Sequence, residues 1–198
     1  LFYLNSVQRS LTNPKSFSNF RRNFDYREVL EHVSYSLGNR YLVLGQERYP
    51  DFLDILAKSQ NIDEVGNPVK FKFMNLGLCS PTRIRYAYVA AEMRDIFNFE
   101  NIHKIAEIGT GYGGQSAVLQ CLKKFSTYTI YDLPEVAHLT QRFLNQTNST
   151  FVSTIGNWES SNEIHSDLII SNYAFSELPR GIQEVYLKNV ISKASRGY

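Results

Sequence analysis

Several things are scarce in this 198-residue chain, and each scarcity excludes something. There are only two cysteines, Cys79 and Cys121. Two thiols cannot build a disulfide scaffold, and neither lies in a spacing that holds a metal. A reduced, cytoplasmic protein is the expectation. No apolar run approaches the roughly 18 residues of a membrane span. The opening segment LFYLNSVQRS has neither the basic stretch nor the apolar core of a secretory signal. It does not start with Met, so further sequence is expected upstream. Charge of one sign is also lacking: 21 Lys and Arg against 19 Asp and Glu leave +2, too little for a dedicated nucleic-acid binder. No repeat or low-complexity tract appears. What remains is an average globular composition, 43% hydrophobic and 20% charged, enough for one or two domains. Glycine is scarce as well, with 11 residues, yet four of them fall between Gly109 and Gly114.

The chain divides near residue 100 into residues 1–98 and 99–198. The first part is mostly helical and rich in Tyr and Phe, with helices expected over Tyr26–Leu37 and Pro50–Gln60 and a polar loop over Asn61–Pro68. Ser80-Pro81 is a helix start, a capping hydroxyl followed by a proline tolerated at the first helical position. That helix is expected to reach Phe97, with Ile84, Tyr88, Ala91 and Ile96 as its apolar face, and to end at Asn98–Asn101. The second part alternates. Strands are expected at Lys104–Ile108, Thr127–Tyr131, Thr150–Ile155 and Asp167–Ser171, and helices at Gln115–Lys124, Pro134–Asn145 and Gly181–Ser192. Such alternation predicts an α/β fold with a parallel sheet.

The segment Glu107-Ile108-Gly109-Thr110-Gly111-Tyr112-Gly113-Gly114 joins an expected strand to an expected helix. A nucleotide-like ligand at the carboxyl end of a strand needs a tight turn, bare backbone and N–H groups at the helix start. Gly109, Gly111 and Gly114 also fit the dinucleotide fingerprint, so a NAD-type oxidoreductase satisfies the same glycines, and a plain turn without ligand is a third reading. More specifically, the segment resembles motif I of the Rossmann-like class I methyltransferases that use S-adenosylmethionine (SAM), which carry an acidic residue where Glu107 stands. Glu107–Leu119, Tyr131–Val136, Asp167–Leu178 and the Ser80-Pro81-Thr82 helix start are similar to the sugar O-methyltransferase family, over about residues 75–198. The resemblance implies SAM as cofactor, with Glu107, Gly109, Thr110, Gly111, Tyr112 and Gly113 around it and the helical N-terminal part as a cap and substrate region.

Asp132 follows the second strand, where a carboxylate can accept bonds from both ribose hydroxyls. With Pro134 and Glu135 it also reads as a capping box, and a NAD enzyme would use the same acid. Leu133 is carried with it by the resemblance. After the third strand, Asn157 and Trp158 match positions that contact adenine, Asn157 by hydrogen bonding and Trp158 by stacking; a turn beside a core tryptophan is the competing reading. Asn172 and Tyr173, after the fourth strand, are candidates for the methionine end of SAM or for the acceptor. Asp167, at the other end of that strand, is expected to be structural. The proline-rich motif of DNA amino-methyltransferases is absent here, which argues against base methylation.

An alcohol acceptor needs a general base near the transferred methyl, and Glu177, in the loop after the fourth strand, is the candidate catalytic residue, with a surface glutamate as the alternative. His32, His103, His138 and His165 are expected in surface or core roles. No paired-carboxylate motif calls for a metal, although a metal-assisted version stays open. The expected function is therefore SAM-dependent O-methylation of a sugar or sugar-containing small molecule or glycan, without nucleic acid or membrane span. A homo-oligomer is allowed, and a non-catalytic SAM-fold binding module is the non-enzymatic alternative. The segment Asn75–Thr82 is expected to border the pocket. Seven strands are usual in that fold and four are visible, so the sheet is read as C-terminally incomplete, with Leu168-Ile169-Ile170 exposed at its edge.

Overall fold

The computed structural model describes residues 2–147, 152–160 and 165–198. The N-terminal part contains α1 (Phe2–Thr12), α2 (Pro14–Phe17), α3 (Phe24–Leu30), α4 (Tyr35–Arg48) and α5 (Phe52–Lys58), then a short antiparallel hairpin of β1 (Phe71–Phe73) and β2 (Gly77–Cys79). Next come α6 (Pro81–Phe97), β3 (Lys104–Ile108), α7 (Gly114–Leu122), β4 (Thr127–Tyr131), α8 (Pro134–Gln146), β5 (Val152–Ile155), β6 (Leu168–Ile170), α9 (Ala174–Glu177) and α10 (Arg180–Asn189). The expected start of β5, Thr150 and Phe151, lies outside the described residues. Strands β3–β6 form one parallel sheet in the order β5-β4-β3-β6. The chain fills β3, β4 and β5 in one direction and then crosses to the other side of β3. The carboxyl ends of β3 and β6 therefore flank the crevice where such sheets take ligands.

Alternation along the strands divides the core. Ile105, Tyr128, Ile130, Leu168 and Ile170 face α6, α7 and α8, and this layer is continuous with Val7, Phe20, Tyr26, Phe52 and Ile55 of the N-terminal part. Ala106, Ile108, Tyr131 and Ile169 face the other way, against Tyr186 and Val190 at α10. Ser80 starts α6 as its sequence predicts, its hydroxyl accepting the Arg83 N–H at 3.2 Å, and Asn98 ends it with φ +44.

A buried ionic cluster ties the N-terminal part to this helix. The Asp63 carboxylate accepts the Ser80 N–H at 2.8 Å and hydroxyl at 2.6 Å, and pairs with Arg83 Nε at 2.9 Å and Arg21 Nη1 at 3.6 Å. Arg21 pairs with Glu31 and donates to the Ile62 carbonyl at 2.8 Å. Burial opposes ionisation of Asp63, yet Arg21, Arg83 and Ser80 outweigh it and hold the carboxyl below its ordinary range.

Several expectations are corrected. The single helix over Tyr26–Leu37 is two, α3 and α4, because Ser34 caps a new start by accepting the Leu37 N–H at 3.2 Å. Helix α6 does not have one apolar face: it is buried on nearly all sides, while Ile96 is 58% exposed. Leu168, Ile169 and Ile170 are buried rather than exposed, and residues 194–198 run alongside β6, with the Tyr198 N–H on the Ile169 carbonyl at 2.9 Å and the Ser171 N–H on the Tyr198 carbonyl at 3.0 Å. Asn75–Thr82 holds β2 and, at Ser80, part of the buried ionic cluster. Asp167 is structural, as its sequence position predicts, accepting the His103 and Lys104 N–H groups at 2.7 and 2.8 Å. No helix among the described residues is long and apolar enough to cross a membrane.

Candidate functional site

Strand β3 delivers the chain into the glycine turn. The Gly109 N–H extends the ladder to β4 by bonding the Tyr131 carbonyl at 2.8 Å. Gly109 has φ +78, and a Cβ there would overlap the Ala174 methyl. Gly111 has φ +57 and lies under Leu30, the last residue of α3; a Cβ would meet Leu30 Cδ1 at 3.0 Å. Both positions need glycine for conformation and for space. Gly113 immediately precedes α7, its N–H on the Thr110 carbonyl at 2.9 Å.

Asp132 stands one residue beyond β4 and reaches across to this turn. Its Oδ2 accepts the Gly111 N–H at 3.1 Å and the Thr110 hydroxyl at 3.4 Å, and its Oδ1 accepts the Leu133 N–H at 2.8 Å. The Thr140 hydroxyl of α8 lies 2.8 Å from the Gly111 carbonyl and 3.1 Å from the Thr110 hydroxyl, so α8 helps to hold the turn. Burial pushes the Asp132 carboxyl up to about 6, against the lowering effect of the Leu133 and Gly111 N–H groups. The capping-box reading is not what forms. Leu133 precedes α8, and Glu135 accepts from Gln8 Nε2 at 3.3 Å. Leu133 itself is 51% exposed beside the turn.

Glu107 lies in the middle of the α6-facing layer, fully enclosed, accepting the Tyr128 hydroxyl at 2.7 Å. Burial raises its carboxyl to about 8, despite that hydrogen bond. The Tyr112 side chain points into the core against Phe20, Phe143 and Tyr86, with the Arg21 guanidinium 4.6 Å from its ring centre. Its hydroxyl has no hydrogen-bond partner among the described residues.

Beyond Ile108 a cavity of about 660 Å³ opens between α6 and the chain that follows β6. Asn172 and Tyr173 line it; Tyr173 has φ +75 and is 69% exposed. Ser171 braces this loop, its hydroxyl accepting the Phe175 N–H at 3.0 Å. Glu177 is exposed at the end of α9 and is not among the lining residues. Asn157 and Trp158 lie toward α10: Trp158 stacks on Tyr186 at 5.3 Å, and the Asn157 side-chain carbonyl accepts the Glu159 N–H at 3.0 Å.

The structure thus brings Gly109, Thr110, Gly111, Asp132 and Leu133 into one site, with Asn172 and Tyr173 in the adjoining cavity. Sequence reasoning missed Leu30, which lies over Gly111, and missed Arg85, Tyr88 and Glu92 of α6, which line the cavity. The latter share one face by their i, i+3 and i+7 spacing, a signal readable in the sequence once the helix was placed. Among the described residues no group of three or more His, Cys, Asp or Glu side chains could hold a metal ion.

No family model matches the chain, and no curated protein does. Solved structures similar to it include the mitomycin 7-O-methyltransferase MmcR, at 14% identity and TM-score 0.42, covering 57% of this chain and 36% of that one. An O-methyltransferase family protein from Burkholderia thailandensis is similar at 10% identity and TM-score 0.41, covering 78% of this chain and 49% of that one. PigF with SAH is similar at 14% identity and TM-score 0.43, covering 85% of this chain and 50% of that one. The chain spans half or less of the length of these three proteins. At such identities and scores the likenesses carry no weight for reaction or substrate.

Proposed function

We propose that the protein is a SAM-dependent methyltransferase acting on a hydroxyl of a sugar or sugar-containing small molecule. One observation carries this reading: the bare-backbone turn at the end of β3 and the Asp132 carboxylate at the end of β4 meet in a single hydrogen-bonded unit. The residues fit the cofactor. Gly109 and Gly111 give the tight left-handed turn that a nucleotide-binding loop needs, with Ala174 and Leu30 packed on them, and Asp132 keeps acceptor capacity beyond the three bonds it makes. SAM, when bound, supplies a methyl group already activated on a sulfonium.

The chain's own task is then to bind and orient. Asp132 would accept a ribose hydroxyl at its remaining acceptor site while Gly111 holds it in place. Leu30 would close the site from above and exclude water. Asn172 and Tyr173, at the carboxyl end of β6, would position the acceptor for in-line attack. Glu177 is the proposed base; it stands at the exposed end of α9, outside the cavity lining, so the turnover of its Gln variant decides the role. A cytoplasmic location and a small-molecule or glycan partner go with this reading.

Calorimetric titration with SAM and S-adenosylhomocysteine (SAH) tests it. Binding of both, and labelled methyl transfer from SAM into sugar acceptors, is the expected result. Absence of binding to either overturns the proposal, and binding of NADH instead would support an oxidoreductase. Near-normal turnover in Glu177→Gln would remove Glu177 as the base.

A further inference from the structure

The cavity beyond Ile108 has a chemical character of its own. Helix α6 turns one face toward it, carrying Arg85, Tyr88 and Glu92. Arg85 is half-buried, and among the described residues it has no carboxylate within 4.0 Å and no hydrogen bond. Aromatic rings lie beside it, the Tyr86 ring centre at 5.9 Å and the Tyr173 ring centre at 5.6 Å. Other enclosed arginines are committed: Arg83 to Asp63 at 2.9 Å, and Arg94 to Asp51 at 2.6 Å. A guanidinium has a rigid fork of five donors that matches carboxylate and phosphate, and the Arg85 fork faces a cavity without a partner.

The acid in the same cavity does not neutralise it. Glu92 accepts the Tyr198 hydroxyl at 2.6 Å and has Arg48 at 4.0 Å. Seven helical residues place it about 10 Å along α6 from Arg85. The unengaged charge of the cavity is therefore positive and sits at the Arg85 end. Flat surfaces flank it, Tyr88 from α6 and Tyr173 from the loop after β6, and Asn172 adds an amide able to bond hydroxyls. The volume suits a molecule of one or two rings. Ile108, which lines the cavity, is joined directly to Gly109 of the turn.

We propose that this cavity is an acceptor site selective for a ring-bearing molecule that carries a carboxylate or phosphate, with Arg85 as the charge anchor and Tyr88 and Tyr173 as the faces against which the ring lies. As an acceptor site it rests on the methyltransferase reading; as an anion site it does not. The test is binding of a matched pair, phenyl β-glucuronide and phenyl β-glucoside, which differ in the carboxylate, with glucose 6-phosphate as the phosphate arm. SAH is titrated separately. A charge-assisted bond of this kind predicts about a tenfold preference for the glucuronide or the phosphate over the glucoside, and loss of that preference in Arg85→Gln.

The measurement on the unaltered protein stands even if the variant folds poorly. SAH affinity and far-ultraviolet circular dichroism report whether the variant is intact. Equal affinity for charged and neutral probes, no binding of any probe at millimolar concentration, or a charge preference that survives in an intact Arg85→Gln overturns the proposal. If the charged probes bind while SAH does not, the anion site stands and the methyltransferase reading falls. If SAH binds without any charge preference, only the anion site falls.

Discussion

Asp63→Asn is the substitution that probes most directly how the N-terminal helices hold the glycine turn. Asp63 is 4% exposed, and its carboxylate accepts two bonds from Ser80 while facing Arg83 at 2.9 Å and Arg21 at 3.6 Å. In the wild type two enclosed guanidiniums face two carboxylates, Asp63 and Glu31. Asparagine keeps the shape and removes one negative charge, leaving a buried positive charge without compensation. Breaking a buried pair in this way costs about 3–5 kcal/mol. For a chain of this length that corresponds to a fall of roughly 6–20 °C in Tm. Thermal and denaturant unfolding followed by circular dichroism measures it, with exposed Asp54→Asn as a control expected within about 0.5 kcal/mol of wild type.

The pH dependence supplies a second, independent check. The folded Asp63 carboxyl is depressed below the unfolded value of 3.8, so its stabilisation is present above that value and is lost as pH falls through the lower folded one. The gap between wild type and Asp63→Asn should therefore be flat near neutrality and shrink in acid. A loss under about 1 kcal/mol at neutral pH, the scale of a surface pair, would falsify the argument; so would a gap unchanged in strong acid. Because Arg21 also lies over the Tyr112 ring, the same variant is expected to weaken SAH binding.

Three further outcomes follow from the turn itself. Burial raises Asp132 to about 6, so its ionised, hydroxyl-accepting form disappears below that pH; SAH affinity should fall as pH drops from about 7 to 5, and Asp132→Asn should bind weakly at every pH. Glu107 is raised to about 8 from 4.5, so folding stability is lost as pH climbs between those values; Glu107→Gln should raise Tm more at pH 8 than at pH 5, measured by thermal unfolding. Gly109→Ala meets both a left-handed backbone and the Ala174 methyl, and should lower stability by about 1–3 kcal/mol and abolish SAH binding; wild-type SAH affinity in that variant would refute the close approach.

What was legible in the sequence was local chemistry. The Ser80-Pro81 start, the β3 and β4 limits and the left-handed glycines all depend on residues within a few positions of one another. What escaped was tertiary. Helix α1 buries Ser6, Val7 and Ser10 and is held from 131 and 132 positions away, where Arg142 of α8 donates to the Leu11 and Ser10 carbonyls at 2.7 and 2.8 Å. No local signal announces that. Strands β1 and β2, three residues each, are too short for alternation to register. The cavity escaped for the same reason: Arg85 and Tyr173 become neighbours only when β6 crosses to the far side of β3.

The two acids of the motif show how far pattern alone can be pressed. Resemblance treats Glu107 and Asp132 as joint ligands of the cofactor, and strand geometry separates them. Side chains alternate along β3, and Ile105 and Ile108 fix which face is which. Glu107 must then share the Ile105 layer, under α6 and α7, where it accepts the Tyr128 hydroxyl. Asp132 comes after its strand has ended, so alternation no longer binds it, and it turns to the Gly111 N–H. Burial at those positions raises both carboxyls, the one within the sheet layer to about 8 and the one at the rim to about 6. Ionisation is therefore opposed more strongly at Glu107 than at Asp132, which has the Leu133 and Gly111 N–H groups to favour its charge. Asp132 is therefore the acid at the turn, while Glu107 stays enclosed in the strand layer beneath it.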